Sequence, residues 1–386
     1  MERKGDWPRL AGQRSIPAIF ARGGTSNGLV IWKRLLPGRD LWHHVLPALM
    51  GSPDPYGRQL DGMGSGLSST SKICILSPCL DRDVADVEFT FVQVGIKDGT
   101  LDMAGNCGNM LSVIGPVAFD HGLSQVIPIH TEPGTKTRVA TVRILNTNTS
   151  KVVHSTFAVG GAKHLSYSPR GRQRLAGVPG MHSRIDLNFI NPGGAKTGRT
   201  LPTGNPVDTL TLPDGSTIEA SLVDVSNPGV FVRVSDLGIR DPAALDPAAV
   251  EADAALKDRL EQIRQAGASM MDLDPKTESV PKIVLVFPSE AAQQTRGVNI
   301  KCLALSMGQA HKAVPLTLAL CLGAAVRLPE TIPNQLAVGA EDERDAIFVG
   351  YPAGVLDVKA TVVNGEVVSA ELWRTARVLM VGEVFY

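Results

Sequence analysis

GNMLSVIGPVAFDHG, residues 108–122, is apolar on almost every side of the helix it would form. A surface helix keeps a polar face, so a helix without one belongs inside a shell of other elements. The rest of the chain supplies such a shell as short β-like runs bounded by Gly, Pro, Asn or Asp: SIPAIFAR, GLVIW, KICILS, VEFTFVQVG, RVATVRILN, HSTFAVG, SRIDLNFI, TIEASLVDV, GVFVRV, KIVLVF and VKATVVNGEVV. A second segment apolar all round, MGQAHKAVPLTLALCLGAAV at 307–326, predicts another buried helix. The expected fold class is α+β and β-rich, each helix lying inside its own strands.

The two segments share a layout that predicts an internal repeat. Proline follows Cys107 by nine residues, at Pro116, and follows Ser306 by nine, at Pro315. A GGxxxG turn precedes each segment, GGTSNG at 23–28 and GGAKTG at 193–198. We therefore expect two halves, residues 1–183 and 184–370, with a cleft between them. Their boundary is the basic, Gly/Pro-containing segment SPRGRQRLAGVPGMHS at 168–183. A last strand, about 371–386, is expected to return to the first half. Residues 241–267 read as one solvated surface helix ended by Gly267.

At 386 residues the chain is long enough for two domains, and 43% hydrophobic with 20% charged residues describes a packed globular protein. Lys plus Arg and Asp plus Glu both number 38, so no global field attracts nucleic acid or an anionic membrane. The longest apolar run, 313–326, is shorter than the roughly 20 residues of a membrane span. The first 20 residues hold no apolar stretch of signal-peptide length, which predicts a cytoplasmic protein and leaves organellar import open. Five cysteines without CxxC spacing argue against disulfides and zinc, and His43–His44 has no ligand-spaced neighbours, so no metal is expected.

Four polar, glycine-rich segments could carry chemistry. In AGNCGNM, Cys107 stands at the start of the first buried helix, whose free N–H groups and dipole could acidify a thiol or clamp a carboxylate; an incidental cap is the bland alternative. Cys74, Cys302 and Cys321 sit among apolar neighbours and read as packing residues. DGMGSGLSSTSK (61–72) lacks the spacing of a phosphate loop, leaving Ser68, Ser69 and Thr70 as donors and Lys72 as a strand-edge lysine that burial would turn into a base. ARGGTSNG (21–28) offers Arg22, Gly23, Thr25 and Ser26, and SMGQAHK offers Ser306, Met307, Gly308, His311 and Lys312. Asn106, Gly108 and Asn109 complete the candidate binding groups.

In order along the chain, ARGGTSNG, DGMGSGLSSTSK, AGNCGNM, LPTGNP, VSNPGVFV, SMGQAHKA and RTAR resemble the PrpF-type isomerases. That group includes 2-methylaconitate cis-trans isomerase, 3-methylitaconate delta-isomerase, 4-oxalomesaconate tautomerase and aconitate delta-isomerase. The resemblance runs from about residue 16 to the end. It implies a diaminopimelate-epimerase-like fold: two pseudo-symmetric β-barrel-like domains, each around a central helix, with the active site in the cleft between them. It also implies a reaction without a cofactor on a small unsaturated di- or tricarboxylate, with Lys72 as base and Cys107 as second catalytic group. Related racemases use a cysteine from each half; here Ser306 stands at the position read as the partner of Cys107, which disfavours a two-thiol reaction. Two positions depart from the family pattern: Asn27 replaces a Lys or Arg, and Tyr351 replaces the histidine of a GHPSG turn.

The expected chemistry is allylic proton transfer that moves or rotates a C=C bond, the developing charge being held by N–H groups at 107–109 and 307–309. A cysteine-dependent amino-acid epimerase or racemase, and a non-catalytic carboxylate-binding accessory protein, are the alternatives. A small carboxylate is the expected partner, and homo-oligomerisation is left open.

Overall fold

The structure, a computed structural model, describes residues 14–123, 127–132, 134–161, 164–239, 241–242, 245–290, 297–340, 342 and 346–386. The reading of the leader thus falls largely outside the described residues. Each expected β-run is a strand except VKATVVNGEVV, which spans the Asn364–Gly365 turn between Gly354–Val363 and Glu366–Arg374, and the strands enclose two helices, Gly108–Asp120 and Leu316–Arg327. Every residue from Gly108 to Ala118 and from Leu316 to Val326 is buried. Burying one Leu, Ile or Val side chain contributes about 1.5–3 kcal/mol, which is what drives two helices without polar faces into the centre.

The strand pairings occur twice in the same order. Ser26–Trp32 lies parallel to Lys72–Pro78, Val87–Val94 adds antiparallel, short Leu101–Asp102 follows, and the first buried helix begins. Asn227–Arg233 likewise lies parallel to Lys282–Pro288, Ile300–Ser306 adds antiparallel, short Gln309–Ala310 follows, and the second buried helix begins. After each helix a strand returns parallel to this unit, Arg138–Asn146 in the first repeat and Ile347–Tyr351 in the second. Each then pairs with an antiparallel strand, Lys151–Gly160 or Gly354–Val363.

This register corrects parts of the repeat read from spacing. GGTSNG forms the hairpin between Ser15–Gly23 and Ser26–Trp32; its counterpart is the turn at Ser226 between Thr217–Val225 and Asn227–Arg233. Gly193–Gly198 lies outside these hairpins as a loop, its Gly194 N–H donating to the Asp224 carbonyl. The second helix starts at Leu316 rather than near 307, because Met307 and Gly308 have φ of +53° and +65° and turn a tight hairpin. Proline has no N–H to donate, so Pro315 suits the start of a helix better than its middle. Pro116, by contrast, lies within the first helix.

The expected helix over 241–267 is two helices, Pro247–Ala252 and Ala254–Met270, capped by the Asp246 and Asp253 carboxylates; residues 243 and 244 lie outside the described set. Gly267 does not end the second of these, since a Cβ there would press on Val230 of the sheet beneath. A helix not expected, Trp42–Met50, covers a separate core cluster and carries His43 and His44 on its exposed side.

Two strands join the repeats. Ile185–Ile190 pairs with Lys151–Gly160 on one side and Glu366–Arg374 on the other. Ala376–Phe385 then returns to pair with Ser15–Gly23 along its whole length, while residues 371–374 of the expected final strand belong to Glu366–Arg374. Among the described residues no helix is long and apolar enough to cross a membrane.

Candidate active site

The two buried helices meet at their N-terminal ends. A Cβ on Gly108, the first residue of one, would collide with the side chain of Leu316, the first residue of the other. Glycine at 108 therefore sets how closely the ends approach. First-turn N–H groups have no partner within a helix, and the positive end of each helix dipole lies here. A cavity of about 500 Å3 opens over this junction, lined by Cys107, Gly108 and Asn109 from one helix start and Pro315, Leu316 and Thr317 from the other. That size suits a small organic ligand.

Of the candidate residues, Thr25, Ser26, Ser68, Ser69, Lys72, Asn106, Cys107, Gly108, Asn109, Ser306, Met307 and His311 line this one cavity. Four do not. Arg22 donates to the carbonyls of Gly24 and Thr375 and to the Thr375 hydroxyl, tying the glycine turn to the RTAR segment. Gly23 has the backbone of Asn109 against it, where a Cβ has no room. Thr70 is not in the lining; its hydroxyl donates to the Leu67 carbonyl and accepts from the Ser65 hydroxyl. Gly308 is exposed at the tip of its hairpin. The N–H groups at 307–309 thus belong to a β-turn and not to a helix start; that role passes to 316–317.

Lys72 is 8% exposed and opens its strand. Its Nζ donates to Gln93 Oε1 at 2.5 Å and stands 5.1 Å from the centre of the Phe91 ring. Gln93 is fixed in turn, its amide donating to the carbonyls of Ser68 and Ser71. Lys72 is therefore aimed by neutral groups, and it forms no ion pair among the described residues.

Cys107 is the N-cap of the first buried helix and makes no side-chain capping bond. It is the half-buried thiol, whereas Cys74, Cys79, Cys302 and Cys321 are buried and free. Burial pushes the thiols of Cys74, Cys302 and Cys321 up, which fits packing roles. The N-cap of the second helix is Pro315, so position matches Cys107 to a residue with no acid–base group. Ser306 is instead the counterpart of Gln93: Lys72 pairs with Gln93, and one step past the Ile283–Leu305 pair Lys282 stands toward Ser306. The conclusion that the second half lacks a matching thiol stands, on a different residue.

His311 is mostly buried, and that burial, followed by the charges of Lys72 and Lys282, lowers it to about 4. Its ring is thus neutral at pH 7, with Nε2 buried and lacking a hydrogen-bond partner. Asn109 is held from two sides, donating to Thr25 Oγ1 at 3.0 Å and accepting from buried Arg374 Nε at 3.2 Å. Asn106 and Asn227 exchange reciprocal bonds at 3.2 Å, joining the NCGN loop of one repeat to the VSNPG turn of the other.

The sequence reading missed Gln93, Asp102, Ser279, Lys282, Gln309 and Thr317 on this wall, which also carries Lys312 of the SMGQAHK segment. For Lys282 a signal existed: KICILSP (72–78) and KIVLVFP (282–288) both begin Lys-Ile and end in Pro. Neither departure from the family pattern touches the cavity. Asn27 pairs with Arg22 across the first hairpin, and Tyr351 belongs to the turn whose Ala353 N–H bonds the Lys312 carbonyl. Among the described residues no cluster of His, Cys, Asp or Glu could hold a metal ion.

Comparison with known proteins places this geometry. Residues 13–386 match the family model described as PrpF protein. The chain is 34% identical to the 3-methylitaconate isomerase of Eubacterium barkeri, over 97% of this chain and 98% of that one. It is also 34% identical to the 2-methyl-aconitate isomerase of Shewanella oneidensis, over 96% and 97%. The crystal structure of a methylitaconate-delta-isomerase superposes with a TM-score of 0.76 at 33% identity, covering 97% of this chain and 96% of the other. A hydroxyproline epimerase from Agrobacterium vitis shares the fold, with a TM-score of 0.55 at 12% identity over 97% and 94%. The epimerase-like architecture expected from the motifs is thus the observed one. The chain belongs to the PrpF family, and its class of activity is isomerisation.

Proposed function

We propose that the protein is a cofactor-independent isomerase that moves or rotates a C=C bond in a small unsaturated di- or tricarboxylate by allylic proton transfer. The observation that carries this reading is the cavity itself, which Lys72 and Cys107 line together with two helix N-termini, and where, among the described residues, Lys72, Lys282 and Lys312 stand against the single acid Asp102. Such a wall favours a polyanion and stabilises the charge that grows when a carbon acid loses its proton.

In this scheme Lys72, in its neutral form, takes the proton allylic to the double bond. The C–H electrons spread over the allyl unit into a carboxylate, giving a dienolate. A proton returned to another carbon of that unit completes the isomerisation with no net change in oxidation level. Cys107, at the helix end, is placed to give that proton or to shape the carboxylate pocket. A two-thiol racemase reading is disfavoured because Pro315 occupies the second helix start.

Incubation in deuterated water with aconitate, 2-methylaconitate, 3-methylitaconate and oxalomesaconate, followed by NMR, tests this. Deuterium should enter the allylic position of one substrate as its double bond moves or rotates. No exchange and no isomerisation with any of them would overturn the proposal, and saturable binding without exchange would favour an accessory carboxylate-binding role.

A further inference from the structure

Lys282 has no part in that proton transfer, yet the fold makes it the twin of Lys72. Each lysine opens a strand of seven residues, each strand runs parallel to its predecessor, and each lysine faces the same cavity. Lys282 is 7% exposed, and its Nζ donates to the Ser279 carbonyl at 2.6 Å, which leaves two protons for other acceptors. It has no ion-pair partner among the described residues. A buried ammonium without a counter-charge is costly, and the cost is recovered when an anion arrives to pair with it.

Resting on the carboxylate-isomerase reading above, we propose that Lys282 grips a substrate carboxylate from the second repeat while Lys72 of the first repeat handles the proton. The pseudo-symmetry lost at the helix ends, where Cys107 faces Pro315, is kept at the strand starts and divided into two tasks. Seated on the carboxylate that receives the dienolate charge, the ammonium binds the substrate and stabilises its anion together.

The electrostatics agree with this assignment. Burial first, and the Lys72 charge second, bring Lys282 down to about 8; Arg264 acts in the same direction, while Asp102 and Cys107 act against it. The other ionisable neighbours on the wall are Lys312 and His311, the latter neutral at pH 7. Pairing with a carboxylate raises the lysine again, so binding at pH 8 should draw a proton from solution.

Titration calorimetry with tricarballylate, a saturated tricarboxylate that has no allylic proton to lose, tests the assignment. Repeating the titration at pH 8 in buffers of different ionisation enthalpy reads the proton uptake. The wild-type protein should bind with uptake of a fraction of a proton. Lys282→Met should bind at least about tenfold more weakly, lose the uptake and melt at a higher temperature. Lys282→Arg should recover most of the affinity. Wild-type affinity in Lys282→Met overturns the assignment. Should that variant fail to fold, Lys282→Gln against Lys282→Arg gives the same contrast, and equal affinities overturn it. If the wild-type protein binds neither tricarballylate nor trans-aconitate, the carboxylate reading itself falls, which is a separate result.

Discussion

In the proposed mechanism Lys72 is the base and Gln93, which accepts from its Nζ, is its holder, and their substitutions should separate. Lys72→Met removes the proton acceptor and should lower kcat by roughly 10^2- to 10^4-fold, while Lys72 variants still bind tricarballylate. Gln93→Leu leaves the amine present but unaimed, and should cost roughly 10- to 100-fold in kcat, read under substrate saturation. His311 predicts a pH dependence of stability. Its folded value near 4 lies below the ordinary 6.5, so below pH 6.5 the unfolded chain binds the proton and the folded chain does not. Stability should therefore fall as pH drops from 6.5 to 4, and urea midpoints of His311→Asn should lose part of that slope. Lys72 and Cys107 were legible in the sequence because glycine, asparagine and serine around a lone lysine or thiol are rare in a packed strand or helix. Gln93 was not, because nothing in VEFTFVQVG says which neighbouring strand its side chain faces.

At the scale of elements, the all-round apolar character of 108–122 and 307–326 identified the two central helices, since no other arrangement buries them. The repeat was legible in outline and misaligned in detail. Counting residues to a proline equated Ser306 with Cys107, whereas hydrogen-bond register equates Ser306 with Gln93, and register is not visible in spacing. The positive φ of Met307 turns the chain into a hairpin where the pattern predicts helix, and a non-glycine residue in that conformation leaves little trace in composition. The meeting of the helix ends makes its own prediction. Gly108→Val forces a branched side chain against Leu316, should cost about 1–3 kcal/mol by urea unfolding, and should weaken tricarballylate binding by parting the helix ends.

For the whole molecule, the return of Ala376–Phe385 was readable from its basic turn and strand pattern, while its full-length pairing with Ser15–Gly23 is a product of topology. Truncation after Arg374 should leave that edge open, exposing Ile16, Ala18 and Ile19, and yield a protein without a cooperative thermal transition by circular dichroism. The same pairing bears on how the chain is made. Ser15–Gly23 leaves the ribosome early, but the strand that completes it follows the whole second repeat. The first repeat must wait, one edge unpaired, through the translation of the entire second repeat. The nascent chain thus offers a bare strand to neighbouring polysomes until Ala376–Phe385 emerges, and a chaperone that shields this edge during translation should raise yield more than one acting after release.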